Sequence, residues 1–186
     1  MSQARTLTPK ELRRVLDYVA TRPHAARNRL MLQMTHFAGM RIGEVAALLV
    51  RDVVGTDGAV KAEIRLAPEQ TKGKQARTVF VSERLRKEIG AYIQTLDKAQ
   101  THLFATQKQP AFSANSACQL LNAIYQRAGI DGASSHSGRR SFITALANKG
   151  VGVRVLAALA GHRSISTTQR YIDVNDAMQR AAVELI

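Results

Sequence analysis

Gly161-His162-Arg163-Ser164-Ile165-Ser166-Thr167-Thr168-Gln169-Arg170-Tyr171 is the stretch on which the reading of this chain turns. It follows Val153 to Ala160, an apolar run at helical spacing that Gly161 can close as a cap. His162 then sits just beyond a helix end, and Thr167 to about Ile172 reads as a short helix carrying Tyr171. Alone, each is ordinary: such histidines are usually structural or exposed, and most tyrosines on short helices pack with a wet hydroxyl. Their meaning depends on what stands upstream.

Upstream, His136-Ser137-Gly138-Arg139 puts an imidazole and a guanidinium three residues apart on one helical face, with Arg140 beside them. A solvated basic face would look the same. Gly39-Met40-Arg41-Ile42-Gly43-Glu44 places Arg41 at a helix start with Glu44 one turn on, although an isolated R-x-x-E is most often a surface ion pair. Between these motifs, Gln70-Thr71-Lys72-Gly73-Lys74 reads as a hairpin turn offering Lys72 or Lys74 at its tip, where lysine ordinarily decorates an edge.

Phosphoryl transfer without a metal needs fixed cations for the charge growing on phosphate oxygens, a nucleophile, and an acid for the leaving oxygen. These motifs together supply that set. The 186 residues carry 27 Lys+Arg against 14 Asp+Glu, a formal +13, spread along the chain without a polybasic tail. Such a balance points to a polyanion, nucleic acid before a ribosomal or membrane surface. One cysteine excludes a disulfide framework or a thiolate metal cluster within the chain. There is no phosphate loop, no G-x-G-x-x-G after a strand and no H-E-x-x-H, and the acidic residues do not cluster as a two-metal nuclease requires. No cofactor or metal is therefore expected. No apolar run is long enough to span a membrane and no signal segment opens the chain, so a cytoplasmic protein is expected.

The pattern is α+β and mostly α-helical. Thr8-Pro9-Lys10-Glu11 forms a capping box, with Leu7 and Leu12 as a hydrophobic staple. Helices follow over about His24–Phe37, capped by Gly39, and along the stripe Ile42, Val45, Leu48 and Leu49. Val60 to Leu66 alternates and Thr78–Val81 is β-rich, giving a small antiparallel sheet with Asp52–Val54 as its third strand. Ser82 caps a helix bearing Leu85, Ile89, Ile93 and Leu96. Others run over about Ser113–Ala128, His136–Lys149 and Val153–Ala160, and the tail carries a stripe of Val174, Ala177, Met178, Ala181, Ala182 and Leu185.

In this order, with the hairpin between the two arginine motifs, the residues resemble the tyrosine recombinase (phage integrase) family, from Leu7 to the helical tail. G-H-x-x-x-x-T-T-x-x-Y is the most specific part of the match. The resemblance implies the catalytic-domain fold over residues 1–173, with 174–186 as a helical tail packing on its own domain or on a neighbouring protomer. It also implies that the N-terminal core-binding domain of most members is missing here, as in a fragment or a compact member.

The family's chemistry would make Tyr171 the nucleophile that attacks a DNA phosphate, giving a 3′-phosphotyrosyl intermediate. Arg41 and Arg139 would clamp the phosphate, Lys72 would protonate the 5′-oxygen, and His136 would move the tyrosine proton. His162 would donate a hydrogen bond to the phosphate, and Glu44 would hold the arginine motif behind them. The implied partner is double-stranded DNA, bound by a homo-tetramer, with a monomer in solution left open. Gly138 stands where the family usually has leucine, and is expected to weaken its helix and leave a packing position empty. Ala160 likewise replaces a leucine. His24, His36 and His102 match nothing. A type IB topoisomerase-like enzyme and a non-catalytic DNA-binding regulator, with His136–Ile172 as helix-turn-helix, are the alternative readings.

Overall fold

The computed structural model describes residues 4–172 and 176–184. Thr8 Oγ1 accepts from the Glu11 N–H at 3.2 Å and Glu11 Oε2 accepts from the Thr8 N–H at 2.9 Å. This reciprocal cap starts helix α1, Pro9–Ala20, with Leu7 and Leu12 buried beneath it. Helix α2, Ala25–Phe37, is different in kind. Leu30 to Thr35 are buried without a break, so the helix has no solvent face there and runs through the centre of the molecule. Gly39 ends it at φ +61°, under the Phe142 ring.

Helix α3, Ile42–Ala46, is shorter than the apolar stripe predicts. Leu48 and Leu49 leave it to bridge residues 101–103, where the Leu103 N–H donates to Leu48 O at 2.8 Å and the Val50 N–H to Thr101 O at 2.9 Å. The third strand expected at Asp52–Val54 does not form. Val50–Val53 closes a helical turn instead, α4, because Asp52 Oδ2 accepts the Leu49 N–H at 2.9 Å and Gln70 Nε2 at 2.7 Å. Of sheet pairing, Val54 keeps a single bridge to Val60.

The sheet among the described residues therefore has two antiparallel strands, β1 (Glu63–Leu66) and β2 (Arg77–Phe80), with Ile64 opposite Val79 and Leu66 opposite Arg77. Ile64, Leu66 and Val79 face the core; Glu63, Arg65 and Phe80 face out. Helix α5, Glu83–Ile93, starts at Ser82, and α6, Ala114–Arg127, starts at Ser113, both as read from sequence. Helices α7 (Ser137–Asn148), α8 (Val153–Ala160), α9 (Ile165–Gln169) and α10 (Asp176–Val183) complete the chain.

Helices α2 and α7 make the most extensive contact in the fold. Gly138 is the reason they approach so closely. A methyl group there would run into Thr35 Oγ1 and stand 3.0 Å from Thr35 Cβ. The expected empty packing position is in fact filled by α2. Of the tail stripe, Val174 and Leu185 and the side chains of Ala177, Met178 and Ala181 lie outside the described residues. No helix among the described residues is long and apolar enough to cross a membrane.

Candidate active site

The last turn of α8 organises the site. A helix leaves its final carbonyls without intrahelical partners. Here the Gly161 N–H takes Ala158 O at 3.0 Å and the His162 N–H takes Ala157 O at 2.9 Å, with Gly161 left-handed at φ +61°. The next three carbonyls each receive a guanidinium from a different element. Arg77 Nη1 on β2 donates to Leu159 O at 3.0 Å, Arg139 Nη2 on α7 donates to Ala160 O, and Arg41 Nη2 before α3 donates to Gly161 O at 3.3 Å. The negative end of the helix thus gathers three cations. Gly161 must lack a side chain for this, since a Cβ would lie 2.5 Å from Arg77 Cδ.

Glu44 locks two of the three together. Its Oε1 accepts Arg41 Nη1 at 2.8 Å and Arg77 Nε at 3.2 Å, and its Oε2 accepts the Arg41 N–H at 2.9 Å and Arg77 Nη2 at 2.6 Å. The carboxylate is almost wholly buried. Burial alone would raise its pKa, but the bonds and charges of Arg77 and Arg41 outweigh it and the pKa is lowered. Arg139 lies deeper, 4% exposed, with Nη1 donating to Gly39 O at 2.7 Å. Its burial, with Arg41 and Arg77 nearby, pushes its pKa down to about 9.

Two adjoining cavities open on this cluster. One, of about 340 Å³, is lined by Arg41, Lys72, Arg77, His162 and Arg163. The other, of about 570 Å³, is lined by Glu44, Phe112, Cys118 and His136, and shares Arg41, Thr71 and Lys72 with the first. Lys72 follows Thr71 at the hairpin tip, where Thr71 Oγ1 accepts the Gln75 N–H at 3.1 Å and has its single proton within reach of Gln75 O at 2.9 Å and Pro68 O at 3.1 Å. Lys74, at φ +49°, lines neither cavity.

His136 stands just before α7 rather than on it, with one side open to solvent. Partial burial and the charges of Arg139, Lys72 and Arg41 lower its pKa. His162 is pushed further, to about 4, by burial and by Arg139, Arg41 and Arg77, so it is neutral at pH 7. Its Nδ1 lies 2.8 Å from Thr168 Oγ1. With Nδ1 accepting from that hydroxyl, Nε2 keeps the proton and becomes a donor.

Tyr171 differs from expectation in one respect. Ser164 caps α9 early, so the helix ends at Gln169 and Tyr171 follows it in a turn, its N–H on Thr168 O at 2.9 Å. Its ring stacks on His162 at 5.7 Å between centroids, the Arg140 guanidinium lies 5.4 Å above it, and Thr144 Oγ1 donates to its carbonyl at 3.2 Å. Arg41, Lys72, His136, Arg139, His162 and Tyr171 are therefore gathered around one cationic centre, with Glu44 behind Arg41. Sequence reasoning missed Arg77, and left Arg140 as a surface residue.

The phage integrase family model matches residues 5–178. A tyrosine recombinase XerA of Thermococcus kodakarensis is 30% identical over 186 residues, covering 98% of this chain and 63% of its own. The crystal structure of a XerA recombinase superposes with a TM-score of 0.78 at 23% identity, over 100% of this chain and 66% of that one. A XerH site-specific recombinase bound to palindromic difH substrate, in a post-cleavage complex, gives 0.72 at 23% identity, over 96% of this chain and 51% of that one. The fold is thus that of the tyrosine recombinases, and this chain spans less than two thirds of the length of these relatives.

Proposed function

Because this chain belongs to the phage integrase family, we propose that it breaks and rejoins DNA strands site-specifically through a covalent 3′-phosphotyrosine intermediate, without metal or ATP. The observation that carries the reading is the convergence of three guanidiniums on the end of α8, with a tyrosine ring stacked on the histidine that follows it. Such a centre is short of anions, and a phosphodiester between two nucleotides supplies one.

Tyr171 Oη attacks the phosphorus; its proton passes to His136, whose pKa is lowered by partial burial and then by the surrounding cations. The P–O5′ bond breaks as the Oη–P bond forms, and Lys72 gives a proton to the departing O5′. Arg41 and Arg139 take the charge on the non-bridging oxygens, with His162 Nε2–H as a further donor. A second DNA end reverses the sequence, since the phosphodiester energy is kept in the tyrosyl ester.

Double-stranded DNA is the partner, bound in the cytoplasm by the chain assembled as a homo-tetramer on it, whatever its state in solution. Residues 1–173 form the catalytic unit, and the tail from 174 packs either on its own domain or on a neighbouring protomer, the second arrangement coupling protomers. In that arrangement, removing 174–186 is expected to abolish tetrameric complexes in gel-shift while sparing single-strand cleavage.

The decisive test is Tyr171→Phe on nicked duplexes that the wild-type protein has selected from a random-sequence pool. The variant should bind these duplexes and form no adduct on denaturing gels. A persisting adduct would refute the nucleophile.

A further inference from the structure

Arg163 is absorbed by none of the roles above, yet among the described residues it ties the lysine-bearing turn directly to the segment that leads to the tyrosine. Its Nη2 donates to Gly73 O and its Nε to Gln75 Oε1 at 3.3 Å. Gly73 and Gln75 follow Lys72 in the turn, and Arg163 follows His162 on the other side of the same cavity. The clasp does not depend on Gly73 lacking a side chain, since a Cβ there would stand at an ordinary van der Waals distance of 3.7 Å from Arg163 Nε; it rests on the two hydrogen bonds. A planar fork held at two points fixes a direction as well as a distance, which a lysine could not do. Otherwise the turn is secured from within by Thr71 and at its base by Gln70, which donates to Ala47 O at 3.1 Å and Asp52 Oδ2 at 2.7 Å.

We propose that Arg163 is a positioning residue: it clasps the β1–β2 turn at Gly73 and Gln75 so that Lys72 is held over the scissile phosphate at a fixed offset from His162 and Tyr171. The proposal rests on the strand-cleavage reading, in which Lys72 protonates O5′. Arg163 itself touches no reacting atom. Its side chain is exposed, so replacing it leaves global stability within about 0.5 kcal/mol.

Replacing the bridging 5′-oxygen with sulfur separates this role from others. A departing thiolate is a far weaker base than an alkoxide and needs no proton. Adduct formation should be timed in single turnover for wild type, Arg163→Ala, Arg163→Lys and Lys72→Ala, on selected nicked duplexes with oxygen or sulfur at that position. Arg163→Ala is expected to be slower by about tenfold or more on oxygen, a part of the ~10²–10⁴ a general acid supplies, and to recover to within about threefold of wild type on sulfur. Arg163→Lys should fall between, and Lys72→Ala should show the same rescue more strongly.

Equal slowing on both substrates, or no slowing on either, would overturn the proposal. Hydrogen exchange without DNA gives an independent reading. Arg163→Ala should speed exchange at the Lys74 and Gln75 amides, which bond within the turn, and leave α2 and α7 unchanged. Unchanged exchange at the turn also overturns the proposal. If wild type forms no adduct on any duplex, the cleavage reading fails instead, and the exchange result still decides whether the clasp exists.

Discussion

Removing one partner of a buried ion pair strands the other charge, and Glu44 has two such partners. Glu44→Ala is expected to lower unfolding free energy by about 3–5 kcal/mol in urea titration, because Arg41 and Arg77 are left facing each other. Since the folded pKa of Glu44 is depressed, its contribution is present above the unfolded value of 4.5 and is lost as pH falls through the folded one. His36 works in another window. Burial and the Arg84 charge push it down to about 4, and its Nδ1 has no hydrogen-bond partner among the described residues. The unfolded chain takes up that proton near 6.5, so stability should fall as pH drops from about 6.5 toward 4. His36→Leu should flatten that part of the curve of urea midpoint against pH. At the proposed reaction, Arg139→Ala should cut adduct formation by about 10²–10³-fold and duplex affinity by less than about tenfold, since other phosphate contacts remain. The six polar positions brought together here were legible only as a set, through the order in which they resemble the phage integrase family; singly each motif is ordinary, and the turn offered Lys72 or Lys74 alike. Arg77 was not legible at all. Its importance depends on the β2 register bringing it between α3 and the end of α8, and no local pattern announces that meeting.

Elements were legible where one local signal decided them. Thr8, Ser82 and Ser113 start their helices as capping chemistry requires, and Gly39, Gly129, Gly150 and Gly161 sit past helix ends at positive φ. Elements were misread where a distant partner decided. The strand expected at Asp52–Val54 gives way to a helical turn because Asp52 caps the Leu49 N–H and is held there by Gln70, far along the chain. The Ile42–Leu49 stripe breaks because residues 101–103 offer Leu48 and Val50 a backbone ladder. Gly138 shows the same limit. From sequence it is a weak helix former, worth about 1 kcal/mol against alanine; in the fold it admits Thr35. Gly138→Leu, which restores the family's usual residue, should therefore destabilise the protein by about 1–3 kcal/mol or more through overpacking. Gly138→Leu with Thr35→Gly should recover part of that loss, as judged from urea midpoints.

At the scale of the whole molecule, the proposed duplex binding should respond to salt according to how many phosphates the basic side chains neutralise. If six phosphates are engaged, affinity should fall by about 10³-fold between 50 and 200 mM salt; a flat response would leave the basic surface without a phosphate role. The tip of α8 imposes a different kind of constraint. Arginines from three remote parts of the chain share one helix end as their common anchor, and the residue after that end begins the path to Tyr171. An insertion of one residue within Val153–Ala160 would swing the tip by about 100° and detach all three at once. Lineages descended from this fold can therefore vary the outward face of α8 freely, but cannot change its length by a single residue without rebuilding the whole centre.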